Sequence, residues 1–262
     1  MMKKSFKIIL TILLFIFSFY YTDKCINFLK KKDPLMQEIV KKSKDYNIEP
    51  INAIITNNTI IPGVSGLNIN LDKSYEKMKK LGNFDEALLV YEKIEPYLSY
   101  KDYYNKIIVS NNQNKKISLV FNIKDLDVYE EIAKILIKYD IKGNYFFQNS
   151  FFNKNIDKIS KINDTILVNN LTNLSNYQNI VDYCLVHEIS DKIPCHSNKK
   201  YTLLSGINIY NYHLTYTKNN YTNSNIITYT FNKNNTKDLE LVINYFLNNN
   251  IKIVSIDDLI KE

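Results

Sequence analysis

The groups in this chain that could do chemistry are a pair of carboxylates and three histidines. Asp125 and Asp127 come just after the apolar run Ile117 to Phe121, where a buried strand is expected to end. Because sites in parallel α/β sheets form outside the carboxyl ends of the strands, either carboxylate could act there as an acid or a base. Capping of the helix that follows explains both residues more simply.

The only histidines are His187, His196 and His213. A metal site built from His187, Glu188 and His196 is conceivable, but its spacing matches no established ligand pattern, and surface or loop histidines are the favoured interpretation. The sequence also lacks G-x-S-x-G, Walker A, dinucleotide-binding and Cys–His nucleophile patterns. The residues by themselves therefore predict no metal site and no complete catalytic set.

A pair of cysteines gives an indication of compartment. Ten residues separate Cys184 from Cys195, in a polar stretch. Outside the cell, such a pair is expected to form a disulfide that closes a small loop, whereas two unlinked thiols are the alternative. Cys25 is left over, close to the N-terminal apolar segment.

The N-terminus predicts a membrane segment. Three lysines within the first seven residues precede the apolar run Ile8 to Tyr21, and the stretch Ser5 to Thr22 is just long enough to cross a bilayer. No small-x-small cleavage site follows, so an uncleaved signal anchor is favoured over a cleaved signal peptide. Lysines lie on both sides of the segment and do not decide its orientation. The short basic tail and the cysteine pair favour an extracellular body.

The basic character of the chain comes from lysine alone. The formal net charge is +7, and arginine is absent, so no bidentate guanidinium clamp on phosphate or carboxylate is available. A basic balance fits nucleic acid, an anionic membrane or anionic wall polymers. The lysines are scattered, with Lys30–Lys32 the only triplet, which favours a solvated surface and the codon bias of an AT-rich bacterial genome. We see no nucleic-acid motif.

The pattern of strands and helices predicts a parallel α/β domain over residues 115–262. Ile117 to Phe121 reads as a strand covered on both faces, followed by a helix that runs to about Tyr139 and a second strand at 144–147. The remaining predicted elements are a helix near 154–162, strands at 165–168, 201–204, 207–210, 226–230 and 251–256, a helix capped by Thr236 and a last turn at 257–260. Alternation of this kind is typical of a mainly parallel sheet with helices outside it.

The preceding parts are residues 1–32, an N-terminal signal anchor with its juxtamembrane region, and residues 33–114, a membrane-proximal segment expected to pack on the main domain. In that segment Asp33-Pro34 predicts a helix start. A second helix is expected to be capped by Asp72 or Ser74 and to end at Gly82. Leu88 to Tyr91 is a further strand candidate.

Three stretches together resemble the polysaccharide deacetylase (NodB-homology) family. The strand Lys115 to Asp125 stands where the family has a strand ending in a Thr-Phe-Asp-Asp-like motif, and Asn144 to Phe147 matches its Ala-Thr-Phe-Phe-like run. Near the carboxyl end, Asn250 to Ile256 resembles the closing strand of that domain. The resemblance covers about 115–262 and implies an irregular (β/α) barrel with mainly parallel strands, here preceded by a transmembrane helix and a membrane-proximal segment.

The chemistry that the resemblance implies is missing from this chain. Typical members hold a divalent metal such as zinc with one Asp and two His, and use a second carboxylate as general base and a late His as general acid. Here Asn122 stands at the base position and Ile123 at the metal-ligand position. No His lies in Asn169–Asn176, where a His-x-x-x-His pair is implied, or in Ile226–Phe231, where the late acid is implied. We therefore expect no metal cofactor.

The function expected from these residues is that of a deacetylase-like protein of the bacterial cell membrane, single-pass, with an extracellular body. It would be catalytically inactive and would bind cell-wall polysaccharide, peptidoglycan or a protein partner. One alternative is an active carbohydrate N-deacetylase with relocated metal ligands, in which Asp125 or Asp127 replaces a lost acid. Another is a structural ectodomain that shares only the α/β pattern.

Overall fold

The computed structural model describes residues 2–109, 115–169, 174–189, 195–221 and 225–262. They form two compact units. The N-terminal unit comprises the residues up to Pro50 together with Ser65–Ile94, and the sheet unit comprises Ile51–Val64 together with Glu95–Glu262. Each unit has its own apolar core.

Both units contain helices as well as strands. In chain order, the helices of the described residues are α1 (Met2–Lys32), α2 (Pro34–Ser43), α3 (Leu71–Met78), α4 (Leu126–Lys138), α5 (Asn149–Lys154), α6 (Ile156–Ile159), α7 (His213–Asn220), α8 (Asp238–Asn248) and α9 (Ile256–Ile260). The strands are β1 (Ile54–Ile55), β2 (Thr59–Ile61), β3 (Gly66–Ile69), β4 (Tyr91–Ile94), β5 (Ile107–Ile108), β6 (Lys116–Ile123), β7 (Asn144–Phe147), β8 (Thr165–Val168), β9 (Tyr183–Val186), β10 (Thr202–Leu204), β11 (Ile207–Ile209), β12 (Ile226–Tyr229) and β13 (Lys252–Ile253).

The N-terminal unit begins with one long apolar helix. Within α1, the segment Thr11–Lys32 is long and apolar enough to cross a membrane. Asp33 then caps α2, because its carboxylate accepts a hydrogen bond from the Leu35 amide at 2.8 Å. The same carboxylate accepts the Tyr75 hydroxyl at 2.8 Å and so ties α2 to α3. The predicted helix start at Asp33-Pro34 is thereby confirmed.

Two details of the N-terminal unit differ from the sequence-based prediction. Asn70, and not Asp72 or Ser74, caps α3, since its Oδ1 accepts from the Lys73 amide at 2.8 Å. The predicted strand Leu88 to Tyr91 begins only at Tyr91, because a 3₁₀ turn precedes it. The Asp85 side chain caps and stabilises that turn, so the chain forms a turn where the start of the strand was expected.

The sheet unit is built on one curled half-barrel of mostly parallel strands. Its described strands run in the order β1-β2-β5-β10-β9-β8-β7-β6-β12-β11, with β13 also paired to β6. Within this sheet the β1–β2 pair is antiparallel and the other pairs are parallel. The predicted α/β class and NodB-like barrel of mainly parallel strands are confirmed.

The sheet extends further upstream than the predicted boundary at residue 115. Strands β1, β2 and β5 come from residues 54–108, yet β2 and β10 both pair with β5. This part of the chain belongs to the sheet unit because its strands pair with strands that are distant in sequence. The sequence did not predict these strands, because strands of two or three residues show little periodic signal.

Strand β6 lies at the centre of the core and is covered on both faces, as predicted. Ile117, Leu119, Phe121 and Ile123 belong to one buried cluster with residues of α4 and α8, and Val120 belongs to a second cluster with residues of α9. This alternation follows the period of two along a strand. The same alternation places Asn122 on the opposite face of β6 from Phe121 and Ile123.

Other predicted elements of the sheet unit are shorter. The helix expected near 154–162 is reduced to α6, and α5 precedes it. The strand expected at 251–256 is reduced to β13 because α9 begins at Ile256. Strand β9 and helix α7 were not predicted, since neither shows a clear apolar period.

Candidate functional site

The carboxyl ends of the parallel strands meet at one edge of the half-barrel. In register, Phe121 of β6 pairs with Tyr229 of β12, so the next residues, Asn122 and Thr230, lie side by side. A cleft of about 570 Å³ opens beside Thr230 at this edge. Its lining residues are Lys124, Asp125, Val128, Tyr210, Thr230, Phe231, Asn232, Lys233 and Asn234. This is the place where sites of parallel α/β sheets form.

Asn122 is a buried amide whose hydrogen bonds are incomplete. The residue is 7% exposed, and its Nδ2 donates to the Thr230 hydroxyl at 3.2 Å. Its Oδ1 is buried and has no hydrogen-bond partner among the described residues. A carboxamide takes up no proton near neutral pH, so Asn122 cannot act as a general base.

Ile123 is a core residue. Its side chain is fully buried in the cluster that contains Phe121, Val128 and Phe147. An aliphatic side chain in such a core supplies no lone pair to a metal ion. The two positions that the resemblance assigns to a base and a metal ligand therefore hold an amide and a packing residue.

Three comparisons with known proteins bear on this arrangement. No protein-family model matches the chain. Over 134 residues it is 32% identical to the uncharacterized protein YlxY of Bacillus subtilis (strain 168), a match that covers 50% of this chain and 42% of that protein. The match thus spans less than half the length of this curated relative.

Among solved structures, wild-type BA3943 of Bacillus anthracis, described as a CE4 family pseudoenzyme, superposes with a TM-score of 0.66. The identity is 19%, and the match covers 87% of this chain and 95% of BA3943. A BA3943 mutant described as a CE4 family pseudoenzyme with restored enzymatic activity matches with a TM-score of 0.67, 19% identity, and 87% and 98% coverage. The chain has the fold of family 4 carbohydrate esterases. These enzymes are the polysaccharide deacetylases, so the fold expected from the resemblance is confirmed.

Within the family 4 fold, Asp125 and Asp127 are engaged in local structure. Asp125 caps α4, with its Oδ1 accepting from the Asp127 amide at 2.9 Å. The Lys233 ammonium pairs with Asp127 and lies 3.5 Å from Asp125 Oδ2. Hydrogen bonding and charge from Lys233 hold the pKa of Asp127 below its usual range. These contacts favour helix capping and ion pairing for Asp125, and ion pairing for Asp127.

His213 is a feature that the sequence did not reveal, since we expected a surface or loop histidine. It is buried at the start of α7, and its ring stacks on Phe231 with centroids 4.2 Å apart. Its Nε2 lies 3.0 Å from the Thr230 carbonyl oxygen, and its Nδ1 lies 3.2 Å from Asp238 Oδ2. His213 therefore supports the backbone of Thr230 and joins α7 to α8.

The other two histidines lie near the cysteine pair. His187 follows β9 with its ring 6.0 Å from that of Phe146, and His196 begins a 3₁₀ turn. Cys184 and Cys195 are disulfide-bonded, with Cα atoms 6.3 Å apart. The disulfide joins β9 to the start of that turn.

The residues do not fit the metal that family 4 esterases imply. Ile123 offers no donor atom, and in the part of the chain that the structure describes no three His, Cys, Asp or Glu side chains cluster to hold an ion. This includes the conceivable set of His187, Glu188 and His196. Of the stretch Asn169–Asn176, residues 170–173 lie outside the described residues, and their sequence, Asn-Leu-Thr-Asn, contains no histidine.

A second, smaller cleft adjoins the first. It has a volume of about 320 Å³ and is lined by Asn208, Ile209, Tyr210, Asn211, Tyr212 and Tyr216. Tyr210 lines both clefts. The edge of the sheet thus offers aromatic rings, amides and hydroxyls.

Proposed function

We propose that this chain is a membrane-anchored, extracellular deacetylase-like protein that has no metal-dependent catalysis and binds cell-wall glycan. The Asn122–Thr230 pair carries the proposal, because an amide stands where the resemblance implies a general base, and Thr230 lies in the segment Ile226–Phe231, where it implies a general acid. These groups donate and accept hydrogen bonds, but neither shuttles a proton at neutral pH.

The cleft beside this pair supports a binding role. Its volume of about 570 Å³ falls in the usual range for small-ligand sites, roughly 300–1,000 Å³. The Asn and Thr residues of the lining match the hydroxyl and acetamido groups of an N-acetyl sugar. A solved protein of the same fold, BA3943, is described as a pseudoenzyme, which supports loss of catalysis on this scaffold.

Two features support a single-pass protein of the bacterial cell membrane with its body outside. Thr11–Lys32 is apolar enough to span a bilayer, and no cleavage site separates it from the body. The Cys184–Cys195 disulfide fits an oxidising compartment. Peptidoglycan or another wall polysaccharide is then the glycan within reach.

The test uses the full chain in lipid nanodiscs, with chitotetraose as the probe. We expect saturable binding and no acetate release when zinc, cobalt or nickel is added. Thr230→Val should weaken binding because it removes the hydroxyl at nearly constant volume, whereas Thr215→Val, on the exposed side of α7, is the matched control. Metal-dependent acetate release would favour relocated metal ligands, and neither binding nor release would favour a structural ectodomain.

A further inference from the structure

We propose that Tyr210, Tyr212 and Tyr216, here called the tyrosine shelf, form a second sugar subsite, so that the ligand is a neutral oligosaccharide occupying both clefts. This inference rests on the proposed glycan-binding function and adds the length and charge of the ligand. The shelf lies on the loop after β11 and on α7.

The three rings of the shelf are unusually open to solvent. Tyr210 is 52% exposed, Tyr212 77% and Tyr216 53%. Within the described part of the chain, no hydrogen bond joins their hydroxyls to the protein. Exposed tyrosine is common in a chain with 21 tyrosines, but three such rings around one cleft form a patch. Tyrosine offers an apolar ring face and a polar edge, which suit the faces and hydroxyls of a pyranose.

The shelf is continuous with the cleft beside Asn122 and Thr230. Tyr210 lines both clefts, so a ligand that fills the larger cleft and extends past Tyr210 reaches Tyr212 and Tyr216. A monosaccharide would occupy one cleft only. The two clefts together require a chain of linked rings.

The lining of the smaller cleft favours an uncharged occupant. The larger cleft has Lys124, Asp125 and Lys233 in its lining, and Lys233 is paired with the carboxylates of Asp125 and Asp127. The lining of the smaller cleft contains tyrosines, one isoleucine, Asn208 and Asn211, and no ionisable side chain other than tyrosine. The Asn208 Oδ1 is buried there without a hydrogen-bond partner in the described residues. The exposed amide of Asn211, in the same uncharged lining, can donate to and accept from the hydroxyls of a neutral sugar.

The backbone holds the shelf in an unfavourable conformation. Tyr212 has a φ of 48°, in the left-handed region that a bulky residue rarely adopts. Directly after it, buried His213 binds the Thr230 carbonyl, and the Thr217 hydroxyl contacts both the His213 carbonyl at 2.6 Å and the Tyr229 hydroxyl at 2.7 Å. These contacts fix the start of α7, so the shelf is preorganised for a ligand.

The test compares chitobiose with chitotetraose on the full chain in nanodiscs. Wild-type affinity should rise with chain length, and Tyr212→Gly should lower the affinity for chitotetraose about tenfold, as loss of an aromatic anchor does. Glycine adopts the left-handed conformation readily, so this variant should unfold no earlier than wild type. Tyr216→Ala should act likewise, and Tyr97→Ala, which removes a ring that is 91% exposed outside either cleft, should leave affinity unchanged.

The outcomes separate this inference from the proposed function. Glycan binding that is equal for both lengths, or equal in wild type and Tyr212→Gly, would overturn the tyrosine shelf and leave the proposed function standing. No binding of either sugar by the wild type would overturn both. Length-dependent binding that both shelf variants weaken supports the inference.

Discussion

The side-chain amide of Asn122 donates to the hydroxyl of Thr230 at 3.2 Å, joining the ends of two neighbouring parallel strands. The pair lies at the carboxyl edge of the parallel sheet, and the resemblance implies a general base at the position of Asn122. The ring of His213 lies within hydrogen-bonding distance of the Thr230 carbonyl oxygen and so holds the backbone of Thr230 in place. The polar groups here are therefore held in place by the fold while lacking the chemistry of a base.

Restoring one carboxylate should not restore deacetylation. Asn122→Asp places a potential base at the end of β6, and the Thr230 hydroxyl can still donate to it, so we expect a folded protein. A general base contributes about 10²–10⁴-fold only when the rest of the site is present, and buried Ile123 still supplies no ligand. Acetate assays with added zinc should stay at background. A metal-dependent rate in this single variant would contradict our assignment of Ile123.

Removal of the Glu262 side chain should destabilise the sheet unit. Its Oε1 accepts from the Gly63 and Tyr100 amides, each at 3.0 Å, and its Oε2 binds the Ser99 hydroxyl. Glu262→Ala leaves these buried groups unpaired and should lower the free energy of unfolding by about 1–3 kcal/mol. Glu262→Gln keeps an acceptor for the two amides and should lower it less. Urea unfolding measures both, with exposed Lys261→Ala as control, and equal losses in the two Glu262 variants would contradict this contact set.

Alkaline pH should destabilise the sheet unit in part through Tyr100. Burial, with the charge of Glu262 as a smaller cause, raises the pKa of Tyr100 from 10.0 to about 12. Because the folded state holds this proton more tightly, its contribution is complete below pH 10 and is lost as the pH rises through about 12. Tyr100→Phe should therefore show a smaller fall in melting temperature between pH 9 and 12 than wild type. Tyr97→Phe is the control for loss of a phenol, and parallel curves for Tyr100→Phe and wild type would refute the prediction.

Loss of the disulfide should lower stability without loss of the fold. The bond between Cys184 and Cys195 closes a loop with a sequence separation of 11, and loop entropy gives a stabilisation of about 3 kcal/mol at most. The double variant Cys184→Ser/Cys195→Ser should unfold at lower denaturant and respond no further to reductant. Cys25→Ser should behave as wild type. Reductant-insensitive unfolding of the wild-type protein would argue against the bond.

Much of the sheet was predictable because its central strands are long or strongly apolar. β6, β7 and β8 have buried runs that match their predicted ranges closely, and α8 has a clear helical period. β9 and α7 were missed because their stability comes from parallel pairing and from contacts such as that of His213 with Asp238. Such long-range contacts leave no local periodic signal.

The sequence predicted which catalytic groups the site lacks better than it predicted which residues the site brings together. The amide at Asn122 and the aliphatic side chain at Ile123 could be read from the end of one strand. Its partner Thr230 lies 108 residues away, and only the parallel register of β6 and β12 brings the two together. The tyrosine shelf likewise depends on a turn at Tyr212 that sequence rules disfavour.

The most direct test of the central claim is a single titration of the full chain with N-acetyl-¹³C chitotetraose, followed by NMR in the presence of zinc. The acetamido signals report binding, and a free-acetate signal reports hydrolysis in the same spectrum. We predict broadened acetamido signals at sub-stoichiometric sugar and no acetate over a day. Zinc-dependent growth of the acetate signal, or acetamido signals that the protein leaves unchanged, would contradict a glycan-binding protein without catalysis.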